Sequence, residues 1–296
     1  MEKFSLGNAV SLPAWETLSA KPFYTGETLR ETLIGGQAFR WFWDGPNDCW
    51  IGAWQSHVVA LRLKDKQLKS ACLTSHTTPD DILNYLGIDR VQAWIEQLPC
   101  NADPVLDNLR QRWGSLSLLR QPAGETLLAF ICSSNKQILQ IRTILDNLSV
   151  RFGTAIPGTS FKTLPDWNTL ASIPEQDLRA CALGYRATHI VGTAAFLRES
   201  PDFLKKIAKL PLANARAELQ RLPGVGPKVA DCVLLFGYGF AEAFPVDTWI
   251  EKILKEKYPE LAKWNRMQLA TFAQIHFGKA GGLAQQWMFA QARTQS

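Results

Sequence analysis

Two periodicities divide the chain. Between residues 37 and 73 the stretches 39–43, 49–54, 58–63 and 67–73 carry the alternation of strands, and Lys64-Asp65-Lys66 reads as a turn between the last two. This pattern predicts an antiparallel meander. Trp41, Trp43, Trp50 and Trp54 fall on it as strand residues and are expected to pack rather than to stack on a base. After Pro79 the apolar spacing changes to three and four, with Ile82, Leu83, Tyr85 and Leu86 on one face, and helical texture persists from there.

The helical part is clearly punctuated. Residues 127–132 end at Ser133-Ser134-Asn135, a cluster suited to capping, before Ile138, Ile141, Ile144 and Leu148 resume the helical spacing. Leu183-Gly184-Tyr185-Arg186 interrupts another pair of helices. Further helices are expected at 213–221, 228–236, 248–256, 268–277 and 283–293. The fold class is therefore α+β: an antiparallel sheet domain with flanking helices over 1–110, then an all-helical body over 111–296.

Composition narrows the classes. The 296 residues are 46% hydrophobic and 20% charged, which is a globular balance with enough apolar side chains for a sizeable core. No apolar stretch approaches the roughly 20 residues that cross a bilayer, so no membrane partner is expected. Residues 1–7 lack the basic run and apolar block of a secretion signal, which points to a cytosolic protein. The six cysteines are scattered without metal-binding spacing, and none follows Cys232, so no disulfide, metal, cluster or other cofactor is expected. A net charge of +5 permits a polyanionic partner without demanding one. The four histidines read as surface or satisfied core residues.

The sharpest local feature is Leu222-Pro223-Gly224-Val225-Gly226-Pro227-Lys228. Two glycines flanked by prolines between helical segments make a tight hairpin whose backbone N–H groups lie at a helix start, where a phosphate is favoured. The same residues also suit an ordinary helix–helix turn. Lys228 sits in the first turn of the next helix, where the macrodipole disfavours its positive charge and favours a nucleophilic free amine; the alternative is a solvated surface lysine. Asp247, just before the following helix, reads as an N-cap, and a cap holds a carboxylate in a fixed place.

With Pro245-Val246-Asp247, that block resembles the helix-hairpin-helix signature of base-excision DNA glycosylases, here spanning 213–238, in the lysine form of members with lyase activity. Gly35-Gly36-Gln37-Ala38-Phe39-Arg40-Trp41, Phe130-Ile131-Cys132-Ser133-Ser134-Asn135 and Leu183-Gly184-Tyr185-Arg186-Ala187 narrow the resemblance to the 8-oxoguanine DNA glycosylase/AP lyases. The resemblance implies a TATA-binding-protein-like sheet domain and a helical glycosylase core. It further implies that Lys228 attacks C1′ to form a Schiff base, followed by β-elimination, and that Asp247 stabilises the cationic sugar.

Carried over in the same way, Cys232 and Phe289 form the two faces of a pocket for the flipped base. Gln285 reads the base's Watson–Crick edge, and the Gly36 carbonyl accepts from the lesion's N7–H. The i, i+4 spacing of Lys228 with Cys232, and of Gln285 with Phe289, is compatible with those pairings, although core packing alone also accounts for the cysteine and the ring. Asn135, Tyr185 and Arg186 match residues at the gap and the estranged base; their local alternatives are a helix cap and a surface turn. Gly224, Val225 and Gly226 face the DNA backbone. The chain departs from the pattern at Gln140, where an arginine would read the opposite cytosine, and at Lys136 and Trp249, which replace an asparagine and a phosphate-contacting histidine. Only a mild preference for cytosine opposite the lesion is expected.

The implied partner is double-stranded DNA containing 8-oxoguanine, bound by a monomer in the cytoplasm with the nucleoid if bacterial, or in the nucleus if eukaryotic. Two rival readings are weighed. A monofunctional alkylbase glycosylase would use the aspartate to activate water, which Lys228 argues against. A non-catalytic helix-hairpin-helix clamp would not need both Lys228 and Asp247.

Overall fold

The computed structural model describes residues 12–19 and 23–295; the stretch 1–7 lies outside them. The chain runs β1 (Glu16–Ser19), α1 (Gly26–Ile34), β2 (Trp41–Asp44), β3 (Cys49–Trp54), β4 (His57–Lys64), β5 (Gln67–Cys72), α2 (Pro79–Leu86), α3 (Val91–Gln97) and α4 (Pro104–Trp113). It continues through α5 (Ala123–Cys132), α6 (Ile138–Phe152), α7 (Trp167–Leu170), α8 (Glu175–Leu178), α9 (Arg186–Glu199), α10 (Phe203–Ile207) and α11 (Leu212–Leu219). The last elements are α12 (Pro227–Val233), α13 (Thr248–Lys257), α14 (Arg266–His276) and α15 (Gly281–Gln295).

The meander closes as the alternation predicts. The five strands form an antiparallel sheet in the order β1-β5-β4-β3-β2. Asp65 and Lys66 both take positive φ, 54° and 60°, the twisted two-residue turn that joins tightly paired strands. One face of the sheet, with Trp41, Trp54, Val59 and Leu61, packs on Leu29 and Leu33 of α1 and Ile82 and Leu86 of α2. The other buries Cys49, Ile51, Val58 and Ala60 against Ile156 and Phe161 of the loop after α6. Trp43 departs from the expected packing: it is exposed and meets only Trp50 edge-on, with centroids 5.0 Å apart.

The helices from α3 onward share one continuous core. Residue 110, where the division between domains was expected, falls inside α4, whose buried Leu106, Leu109 and Trp113 belong to that core. The helix cannot be cut there because Asp103 caps its start while also accepting from Tyr258 and His276 beyond α13, at 2.7 Å each. β1 was not expected; four residues are too few to show an alternation.

The junction between α5 and α6 also differs from expectation. Asn135 does not cap α6; it sits in a left-handed turn with φ of 52°, and Gln137 occupies the cap position. The interruption at 183–186 is present, with the chain kinking through Cys181 and Ala182 before α9 begins.

Candidate active site

The hairpin between α11 and α12 is held from outside by α9. Gly224 has φ of 79°, and a Cβ there would lie 2.7 Å from the His189 side chain, so both backbone and space call for glycine. The Val225 amide donates to the Leu222 carbonyl and the Val225 side chain is buried. That corrects the expectation of bare amides along the turn: Val225's N–H is spent on closing it. Gly226 is exposed at the cap position of α12, and no side chain caps that helix.

Lys228 is the second residue of α12 and is half-buried. Its Nζ lies 5.2 Å from the centroid of the Phe130 ring. Phe130 is itself flanked by Phe39 and Phe236, both at 5.6 Å, so the lysine rests on an aromatic floor. One turn on, Cys232 is buried. Burial pushes the Cys232 thiol up to about 11, Asp231 and Asp247 add to the rise, and Lys228 offsets only part of it. The sulfur therefore stays protonated near neutral pH.

Asp247 is placed by α13. As its N-cap it accepts from the Ile250 amide at 2.8 Å, so the cap expected from sequence is formed. The approach to it is anchored by Phe244, stacked on Phe277 at 5.3 Å, and by the Pro245 carbonyl, which accepts from Gln285 Nε2 at 3.4 Å. Lys228 and Asp247 both act electrostatically on the Cys232 sulfur, with opposite signs.

The loop after α1 closes against α15. Gly36 has φ of 98°, and a Cβ there would lie 3.1 Å from Phe289 Cε1 and 3.5 Å from Ile138 Cδ1. The next residue fixes it: buried Gln37 donates to the Ser117 carbonyl, accepts from the Leu119 amide, and has its own carbonyl bonded by Gln121. Gln285 lies one turn before Phe289 on α15, its Oε1 engaged by Gln286 at 2.7 Å.

Comparison with solved structures bears on what this arrangement is for. The fold matches MBOgg1 in complex with a low-affinity DNA ligand at a TM-score of 0.84 and 28% identity, covering 93% of this chain and 94% of that one. It matches Clostridium acetobutylicum 8-oxoguanine glycosylase/lyase, in complex with double-stranded DNA containing cytosine opposite 8-oxoguanine, at 0.82 and 28%, covering 90% and 92%. Residues 24–127 match the 8-oxoguanine DNA glycosylase N-terminal domain. Over 253 residues, 81% of this chain and 68% of the relative, the sequence is 33% identical to N-glycosylase/DNA lyase OGG1 of Arabidopsis thaliana. The chain belongs to the 8-oxoguanine DNA glycosylase/lyase family.

Within this member of the family, the residues assigned to the gap occupy two different settings. Tyr185 is 48% exposed and Asn135 is exposed, both free to meet DNA. Arg186 is only 3% exposed, which overturns its reading as a surface-turn residue. Its guanidinium donates twice to the Ser134 carbonyl and once to that of Leu183, and lies 4.4 Å from the Tyr185 ring centroid. It clasps the Asn135 turn to the Tyr185 turn. Gln140 is exposed, but its Oε1 accepts from the Gln137 amide at 3.1 Å, so it caps α6. Lys136 is half-buried in the same turn. Trp249 is exposed in the first turn of α13, beside a cleft of about 410 Å³ lined by Arg112, Lys252, Met288 and Gln291 as well.

Sequence reasoning did not assign Phe130 to the lysine, nor Gln37 and His189 to the two glycines. Phe130 stands in a motif already singled out, so the signal was present; the partners of Gln37 and His189 are set by the fold alone.

Proposed function

We propose that this glycosylase/lyase excises 8-oxoguanine from duplex DNA through Lys228 and then cleaves the strand at the abasic site. The observation that carries the reading is the half-buried Lys228 amine on the Phe130 face, with Asp247 held as the N-cap of α13 and with Phe289 of α15 packed on Gly36 in the loop after α1, which we take as the base slot.

The base must leave the stack before its glycosidic bond can be reached. In the slot, Phe289 and Cys232 flank its two faces, Gln285 meets the Watson–Crick edge, and the Gly36 carbonyl accepts the N7–H that guanine lacks. Lys228 attacks C1′ as the C1′–N9 bond breaks, and the carboxylate of Asp247 stabilises the positive charge on the sugar. The amine and the opened sugar then form a Schiff base. Loss of a C2′ proton expels the 3′ phosphate. Gly224 and Gly226 face the backbone, Asn135, Tyr185 and Arg186 support the vacated position, and the protein acts as a monomer where the chromosome lies. Among the described residues no helix is long and apolar enough to cross a membrane.

Borohydride added to protein and a duplex carrying 8-oxoguanine opposite cytosine tests this. A covalent adduct that is lost in Lys228→Gln supports the route, whereas release of free base without an adduct would replace it with direct attack by water.

A further inference from the structure

Just before the Gly35-Gly36 loop, α1 carries a charge where none is expected. Glu31 is 1% exposed, in the last turn of α1, where the helix dipole disfavours an anion. Its Oε2 accepts from Arg293 Nε at 3.2 Å, and its Oε1 is buried without a partner. Such a half-satisfied pair is a poor source of stability, since two apolar side chains of similar volume commonly serve as well or better.

Its placement suggests another use. Arg293 lies one turn beyond Phe289 on the same face of α15. At the other end, the Gly35 amide donates to the Glu31 carbonyl at 2.9 Å, and a Cβ on Gly35 would lie 2.9 Å from Glu31 Oε2. The carboxylate is therefore folded over Gly35, and the residue after Gly35 is the one that meets Phe289. Contacts run in a closed ring from Phe289 to Gly36, Gly35, Glu31, Arg293 and back along α15.

We infer that Glu31 is a positioning residue for lesion recognition, holding the Gly35-Gly36 turn and Phe289 at the spacing that admits 8-oxoguanine and rejects guanine. It acts through Gly36 and touches no reacting atom. The inference rests on the proposed assignment of Gly36 and Phe289 to the base slot. A directional charged bond suits this task because recognition by a single carbonyl depends on its position, and a 1 Å misplacement can cost about 100-fold in rate.

The test uses the full chain with the double substitution Glu31→Leu and Arg293→Leu, which keeps an apolar pair in place of the charged one. Two quantities are compared with the parent protein. One is the binding ratio for duplexes carrying 2′-fluoro-8-oxoguanosine or 2′-fluoroguanosine at the target position; the other is borohydride trapping on a preformed abasic site, which uses no base slot. The expected result is a loss of at least about tenfold in the ratio with trapping unchanged. An unchanged ratio would overturn the proposal, and so would a parallel fall in binding of both duplexes and in trapping, which marks a purely structural role. If the double variant does not fold, Glu31→Gln is measured in its place and judged by the same two results. Phe289→Ala serves as the control: if it leaves 8-oxoguanine excision intact, the slot assignment itself falls; if it lowers excision while the double variant behaves as the parent, only the role of Glu31 falls.

Discussion

Gly36 and Phe289, separated by almost the whole chain, meet so closely that a single added methyl on Gly36 would press on the ring at 3.1 Å. That glycine also holds φ of 98°, a conformation that side chains rarely adopt. Gly36→Ala is therefore expected to carry about 1–3 kcal/mol of strain and to move its carbonyl. Single-turnover excision of 8-oxoguanine should fall by at least about tenfold, while trapping on a preformed abasic site persists. Equal loss of both would mean that the substitution disturbs the whole core.

Asp247 has two roles that one substitution separates. Asparagine caps helices about as well as aspartate, so Asp247→Asn should leave the melting temperature nearly unchanged. Removing the charge should slow excision about 100-fold or more, the scale of losing one preorganised electrostatic group. An unaltered single-turnover rate would reduce Asp247 to its cap to Ile250.

Arg216 and Asp231 join α11 to α12 through a 2.6 Å bond, one residue before Cys232. Burial pushes the Asp231 carboxyl up to about 6, with the charge and hydrogen bond of Arg216 offsetting part of the rise. A carboxyl with a raised folded value contributes stability that is complete below its unfolded value near 4 and is lost as pH rises to about 6. Denaturant melts at several pH values should show the parent losing up to about 3 kcal/mol relative to Asp231→Asn across that window. Parallel curves would show that the carboxyl titrates normally.

Gln140 spends its side-chain oxygen on the start of α6. An amide so placed makes a weak reader of the estranged base, so excision opposite thymine or adenine should trail excision opposite cytosine only mildly. Gln140→Arg should steepen the preference by about tenfold, within the discrimination that a good bidentate contact supplies. A steep preference in the parent protein would assign cytosine reading to another group.

How far the sequence discloses this site depends on the range of the cause. The sheet was legible because side chains alternate along each strand, as Val59 and Leu61 face one side of β4 and Val58 and Ala60 the other, and the hairpin because two glycines and two prolines mark a turn locally. Lys228 and Asp247 were legible because each sits beside such punctuation. The burial of Arg186 was not, since arginine is usually exposed and one of its two acceptors, the Ser134 carbonyl, lies 52 residues away. Glu31 was silent for the same reason: its cation lies 262 residues along the chain. The capping bond of Gln140 was not legible because it shows only once the helix start at Gln137 is fixed.

The aromatic floor comes from α5, the amine from α12, the carboxylate from α13, and both the ring and the glutamine of the slot from α15. Leu283, Ala284, Trp287 and Met288 of that same helix are buried in the common core. The helix that supplies the ring and the glutamine is thus also a wall of the fold, so a chain that has closed its core already carries both in place.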